Sequence, residues 1–207
     1  MDFRCEIKRR YVLMKRPSAI RIFAFLVIAT ATASFFIVDV YNAARPLMLP
    51  DDGQACLNKL ADHDVLFKSL GSIKQKQCSV KNAVRIEKFS KTSINKPITV
   101  SCDFGIKLQN FFEKLQTKKV EHIGAMNCRQ VRGSQILSEH SFGNAIDLTD
   151  FDGANVSRDW DRDSEEGKLL HNAKNLACEI FSNVLTPDSD SRHSNHIHLD
   201  AGPGFGC

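Results

Sequence analysis

Four of the seven histidines fall in two short segments, His140 in one and His193, His196 and His198 in the other. Hydrolytic zinc sites use three protein donors, imidazole nitrogens or carboxylate oxygens, and keep a fourth position for water. His140, Asp147 and His198 supply such a set. Small residues intervene between the first two, and Gly143 permits a tight turn that swings His140 back beside Asp147. His196 and His198 are two apart on a predicted strand, so they share one face. One of them can ligate a metal while the other reaches bound water or substrate. Taken alone, an H-x-H pair is weak, and Asp147 has competing uses as a turn cap or as a partner of Arg129. The two segments together carry more than either does. His63, His122 and His171 read as ordinary surface or core histidines.

The elements that must position these residues follow from periodicity and punctuation. Ala55 to Leu60 reads as a short helical patch, and Val65 to Leu70 as a strand or a helix end. Val84 to Phe89 alternates inward and outward and predicts a half-buried strand, and Pro97 to Ser101 is extended. Cys102 to Lys119 places Ile106, Phe111, Phe112 and Leu115 on one face and predicts an amphipathic helix. Asp103 near its start and Lys118 and Lys119 near its end suit the helix dipole. His122 to Arg132 reads as a strand with a turn at Gly133-Ser134. Ala145 to Thr149 is a strand, Asp152-Gly153 a hairpin turn, and Asn155 to Ser157 the return strand. Ser164 to Leu185 predicts a second amphipathic helix. Residues 186–195 form a polar loop, and His196 to Asp200 a closing strand. Strands and helices alternate without βαβ regularity. The expected class is therefore α+β, a small antiparallel sheet flanked by helices.

Compartment and stability are read from charge and cysteine. The chain has 207 residues with a net charge of +4, 43% hydrophobic and 25% charged, which is a globular composition. Residues 1–21 hold seven Lys/Arg against two Asp/Glu, leaving 21 against 22 for the rest. The basic excess belongs to the N-terminal tail, which argues against a nucleic-acid partner for the folded part. Ile22 to Val38 is an uncharged apolar run of 17 residues, at the short end of a spanning helix. With cations before it, the positive-inside bias predicts a cytoplasmic tail and an exported C-terminal part. The organisation expected is a basic tail over 1–21, an inner-membrane signal anchor over 22–38, a linker over 39–53 and a domain over 54–207. The alternative is a signal peptide cleaved near Ala31-Thr32-Ala33, which releases the domain into the periplasm. Cys56, Cys78, Cys102, Cys128, Cys178 and Cys207 all lie in the exported part, are even in number and form no C-x-x-C pair. Three disulfides are expected, with the pairing open among fifteen arrangements.

Ser138-Glu139-His140-Ser141-Phe142-Gly143-Asn144-Ala145-Ile146-Asp147 resembles the S-x-H-x-x-G-x-A-x-D signature of the LAS metallopeptidases, which join lysostaphin-type enzymes, D-Ala-D-Ala carboxypeptidases and the hedgehog fold. His193-x-x-His196-x-His198 is similar to the second segment of their endopeptidase branch. From about Cys56 to Asp200 the chain resembles the extensin-like C-terminal domain of bacterial envelope proteins. The resemblance implies a hedgehog or D-Ala-D-Ala-peptidase-like fold and zinc held by His140, Asp147 and His198. It implies that His196 orients or deprotonates the zinc water, with His193 assisting or simply solvated. Arg129 aligns with the basic residue that faces a substrate carboxylate or carbonyl, and Arg132 is its rival. No Glu stands two or three residues before His198, where the dipeptidase branch keeps its base, which favours His196. The function expected is a zinc peptidase acting on peptidoglycan stem peptides or crosslinks. The alternatives are a non-catalytic wall-binding or scaffold module on the same fold, and an amidase or protease with the same metal chemistry.

Overall fold

The structure, a computed structural model, describes residues 36–44, 53–204 and 206–207. Contacts divide the chain into units Met1–Val40 and Tyr41–Cys207. Residues 36–44 are helical. Most of the Ile22–Val38 run, and residues 45–52 of the expected linker, lie outside the described residues. Among the described residues no helix is long and apolar enough to cross a membrane.

From residue 53 on, the second unit contains helix α1 (Gly53–Asp62), followed by strands β1 (Leu66–Gln75), β2 (Cys78–Lys88) and β3 (Ser93–Ser101). Helix α2 (Cys102–Leu115) leads to β4 (Lys119–Gly124), and a 3-10 turn over Glu139–Phe142 to β5 (Ala145–Phe151). Then come β6 (Ala154–Asn155), the one-turn helix α3 (Val156–Asp159), helix α4 (Glu165–Cys178) and β7 (Asn183–Leu185). A 3-10 turn over Ser191–His193 precedes β8 (Ile197–Asp200). The eight strands form one sheet in the order β1-β2-β3-β4-β5-β8-β7, with β6 paired to β5.

This is a mixed α/β architecture, and it corrects two expectations. The sheet is large rather than small. It also contains one parallel pair, β3 with β4, joined through α2 as a single βαβ unit. A parallel pair needs such a crossover, whereas the remaining pairs are antiparallel.

Several element boundaries differ from the sequence reading, and four have identifiable causes, three of them tertiary and one local. Helix α2 starts as expected, with Ser101 accepting from the Phe104 amide, but it ends at Leu115. Gln116 turns left-handed, and the Asp152 carboxylate captures the Lys118 and Lys119 amides and the Thr117 hydroxyl. Lys118 and Lys119 therefore lie beyond the helix. Strand β4 stops at Gly124 because the chain leaves the sheet to wrap His140: Met126 N donates to Thr99 O and Asn127 N to His140 O. The return strand after Asp152-Gly153 is only β6, because the Asn155 side chain accepts from Arg158 N and starts a helical turn. Helix α4 ends at Cys178, and the end of its predicted span becomes β7, whose partner β8 lies beyond the polar loop.

The core lies on the helical side of the sheet. Phe104, Phe111 and Phe112 of α2 are fully buried and pack edge-on or tilted against Phe89, Phe151 and Phe181. Truncating any of the three costs about 3–5 kcal/mol by cavity arguments. Ile146 and Leu148 of β5 and Ile197 and Leu199 of β8 join this core. Strand alternation then turns Asp147, His198 and Asp200 to the opposite face. Three disulfides close the unit, Cys56–Cys102, Cys78–Cys128 and Cys178–Cys207. They tie α1 to α2, the β1–β2 hairpin to the loop after β4, and α4 to the C-terminus.

Candidate metal centre

The 3-10 turn over Glu139–Phe142 delivers His140 to the sheet and stops at Gly143, which has φ +66. A Cβ there would sit 2.8 Å from both Ser101 N and Val80 Cγ1, so both the backbone angle and the space require glycine. The chain reverses and enters β5, placing Asp147 opposite His198 in the β5–β8 ladder.

These three side chains converge on one point. His140 Nε2 lies 3.3 Å from Asp147 Oδ1 and 3.3 Å from His198 Nδ1, and His198 Nδ1 lies 2.8 Å from Asp147 Oδ1. All three ligand atoms lie within 4.8 Å of one another. A tetrahedral ion with bonds of about 2.0–2.1 Å sets its ligands about 3.3–3.4 Å apart, so two edges match and the third is closed to hydrogen-bond length. The donor chemistry fits a metal as well. His140 Nδ1 contacts the Ala125 carbonyl at 2.5 Å, and since a carbonyl only accepts, Nδ1 carries the proton and Nε2 is left as a ligand. His198 Nε2 likewise donates to Asp200 Oδ2 at 3.1 Å, which leaves Nδ1 to face the cluster.

Electrostatics follow from this packing. Burial opposes ionisation of Asp147, but the adjacent His140 and His198 rings outweigh it and hold the carboxyl well below the usual range. Burial disfavours the charged form of His198, yet its bonds to Asp147 and Asp200 push it up to about 9. Nδ1 would give up its proton on holding a metal, as metal ligands must be deprotonated.

The neighbours occupy a cleft of about 430 Å³ lined by Arg129, Arg132, Arg192, Asp147, His193 and His196, among others. His196 donates from Nδ1 to Asn195 Oδ1 at 2.8 Å, and its Nε2 points inward, 3.6 Å from Asp147 Oδ1. Burial lowers its pKa below 6.5, favouring a neutral ring able to accept a proton. His193 is not free in its loop. Asp190 holds its Nδ1 at 2.9 Å, and its ring lies 5.1 Å from that of His196. Asp147 forms no ion pair with Arg129 among the described residues, and both Arg129 and Arg132 line the cleft. His63, His122 and His171 stay outside the cluster: His63 lies 3.7 Å from Glu113, while His122 and His171 bond the carbonyls of Lys96 and Trp160.

Sequence reasoning missed Asp200, Asp190 and the Ala125 carbonyl. The signal for Asp200 was present, since residues 196, 198 and 200 alternate onto one face. No pattern announces a carbonyl such as that of Ala125.

Two imidazoles and one carboxylate gathered against a sheet face, with Asp147 and His198 lining the cleft, define a candidate mononuclear metal centre. The model of the family described as extensin-like protein C-terminus matches residues 54–206, and the chain belongs to that family. Neither the curated proteins nor the solved structures yield a match to this chain.

Proposed function

We propose that the chain is a zinc-dependent peptidase that cleaves peptidoglycan stem peptides or crosslinks in the cell envelope. The convergence of His140, Asp147 and His198, with the second nitrogen of each histidine held by Ala125 O or Asp200, carries this reading. Its resemblance to the LAS signature supports it, as does the open cleft beside the cluster. A cleft filled by a loop would instead favour a scaffold.

Zinc bound in such a set polarises a carbonyl and lowers the pKa of water toward about 7. The chain supplies the remainder. Neutral His196, with Nε2 facing the cluster, accepts a proton from the attacking water and passes it to the leaving amine. Arg129 offers a forked guanidinium to a substrate carboxylate, a group abundant in stem peptides. The apolar run at Ile22–Val38 tethers the domain to the inner membrane and places it against the wall.

Mass spectrometry of muropeptides after digestion of sacculi by the purified chain tests the proposal. The wild type releases cleaved stem peptides and His140→Ala does not. Zinc-loaded wild type that leaves crosslinked sacculi intact across pH 6–9 overturns it.

A further inference from the structure

We infer that Asp200 is a positioning residue that locks the His198 ring so that Nδ1, not Nε2, is offered to the metal. The inference rests on the metal-centre reading above and adds a role for a residue that is not itself a ligand in the cluster.

His198 presents its two nitrogens to opposite partners. Nδ1 meets Asp147 Oδ1 and His140 Nε2, while Nε2 meets Asp200 Oδ2 at 3.1 Å. A ring rotation that exchanged the nitrogens would remove a donor from Asp200. Asp200 is well placed to resist this because its other oxygen is doubly held. Asp200 Oδ1 accepts from Asn183 Nδ2 at 2.7 Å and from the Gly202 amide at 2.8 Å. One of these anchors comes from β7 and the other from the turn after β8, so the carboxylate is fixed from two sides. It is also 7% exposed, which strengthens each bond by excluding water. Carboxylate–histidine–metal arrangements of this kind orient the ligand and raise its basicity.

The ring nitrogen and the affinity are both measurable on the full chain. With cadmium-113 in place of zinc, nuclear coupling identifies which nitrogen of His198 carries the metal, and Nδ1 is expected. Competition against a chelator gives zinc affinity, and Asp200→Ala is expected to lose about 10–100-fold. Asp200→Asn keeps an acceptor oxygen without the charge and is expected to fall between Asp200→Ala and the wild type. It decides the matter alone if Asp200→Ala does not fold, judged by near-ultraviolet circular dichroism. Coordination through Nε2, or a folded variant that binds zinc as tightly as the wild type, overturns the role of Asp200. A wild type that binds neither ion overturns the metal-centre reading itself, and the role of Asp200 with it.

Discussion

Asp147 and His198 are register partners, facing each other across the β5–β8 pair with Oδ1 2.8 Å from Nδ1. Two candidate ligands from distant parts of the chain are thus fixed by backbone hydrogen bonds rather than by loop packing. A site built on paired strands is held more accurately than one built on loops. Only His140 enters on a turn, and that turn is braced by Gly143 against β2 and β3.

On the proposed function, zinc binding is expected to couple to folding. With free zinc at 100 times its Kd, the native state gains about 2.7 kcal/mol. For a chain of this size that raises Tm by about 5–10 °C. Calorimetry with zinc and with excess chelator checks the difference, which His140→Ala removes.

Replacing His196 separates chemistry from binding. His196→Ala keeps its zinc, because the three ligands are untouched, and lowers kcat by about 10²–10⁴-fold for loss of a general base. Zinc content by elemental analysis and turnover on muropeptides give the two readings. Full activity in the variant assigns the proton transfer to another group.

Gly143→Ala forces a left-handed residue and a close contact with Ser101 N at once. The left-handed angle costs about 1–2 kcal/mol and the overpacking about 1–3, giving a loss of about 2–5 kcal/mol in urea unfolding. Zinc affinity falls with it, since the same turn carries His140.

Acid stability is predicted from Asp159. Hydrogen bonds from Arg158 hold its carboxyl below the ordinary 3.8, with the Asn155 amide and Arg162 adding to the effect. Because the folded pKa is the lower one, the unfolded chain binds more protons in acid. The contribution is fully present above the unfolded pKa and is lost as pH falls through the folded one. Asp159→Asn, followed by thermal melts from pH 7 to pH 2, flattens that decline. Neighbouring Glu166, itself lowered by hydrogen bonds to its own backbone amide and to Ser164, retains its share.

Much of the sheet and nearly all of the cluster were legible in sequence because both rest on short-range patterns. Alternation marked β2, β5 and β8, apolar spacing with Asp103 near the start marked α2, and the glycine marked the His140 turn. What stayed hidden depends on remote partners. The pairing of β7 with β8 ends an amphipathic pattern that locally reads as continuing helix. Asp152 halts α2 from across the next hairpin. The parallel β3–β4 contact is short, Ser93 with Lys119 and Ile94 with Val120, and both strands also serve antiparallel neighbours. The cysteine pairing likewise needed the fold, since spacing alone does not choose it.

The last residues of the chain underpin the cluster from behind. Cys207 is bridged to Cys178, and Gly206 sits between Ser182 and Val184 through two backbone bonds. Asn183, framed by that clasp, is the residue that grips Asp200, and Asp200 in turn grips His198. Proteolytic trimming of a few C-terminal residues would thus be felt at a candidate metal ligand that the removed segment never touches. Any fusion or tag placed there needs to leave the Cys178 bridge intact.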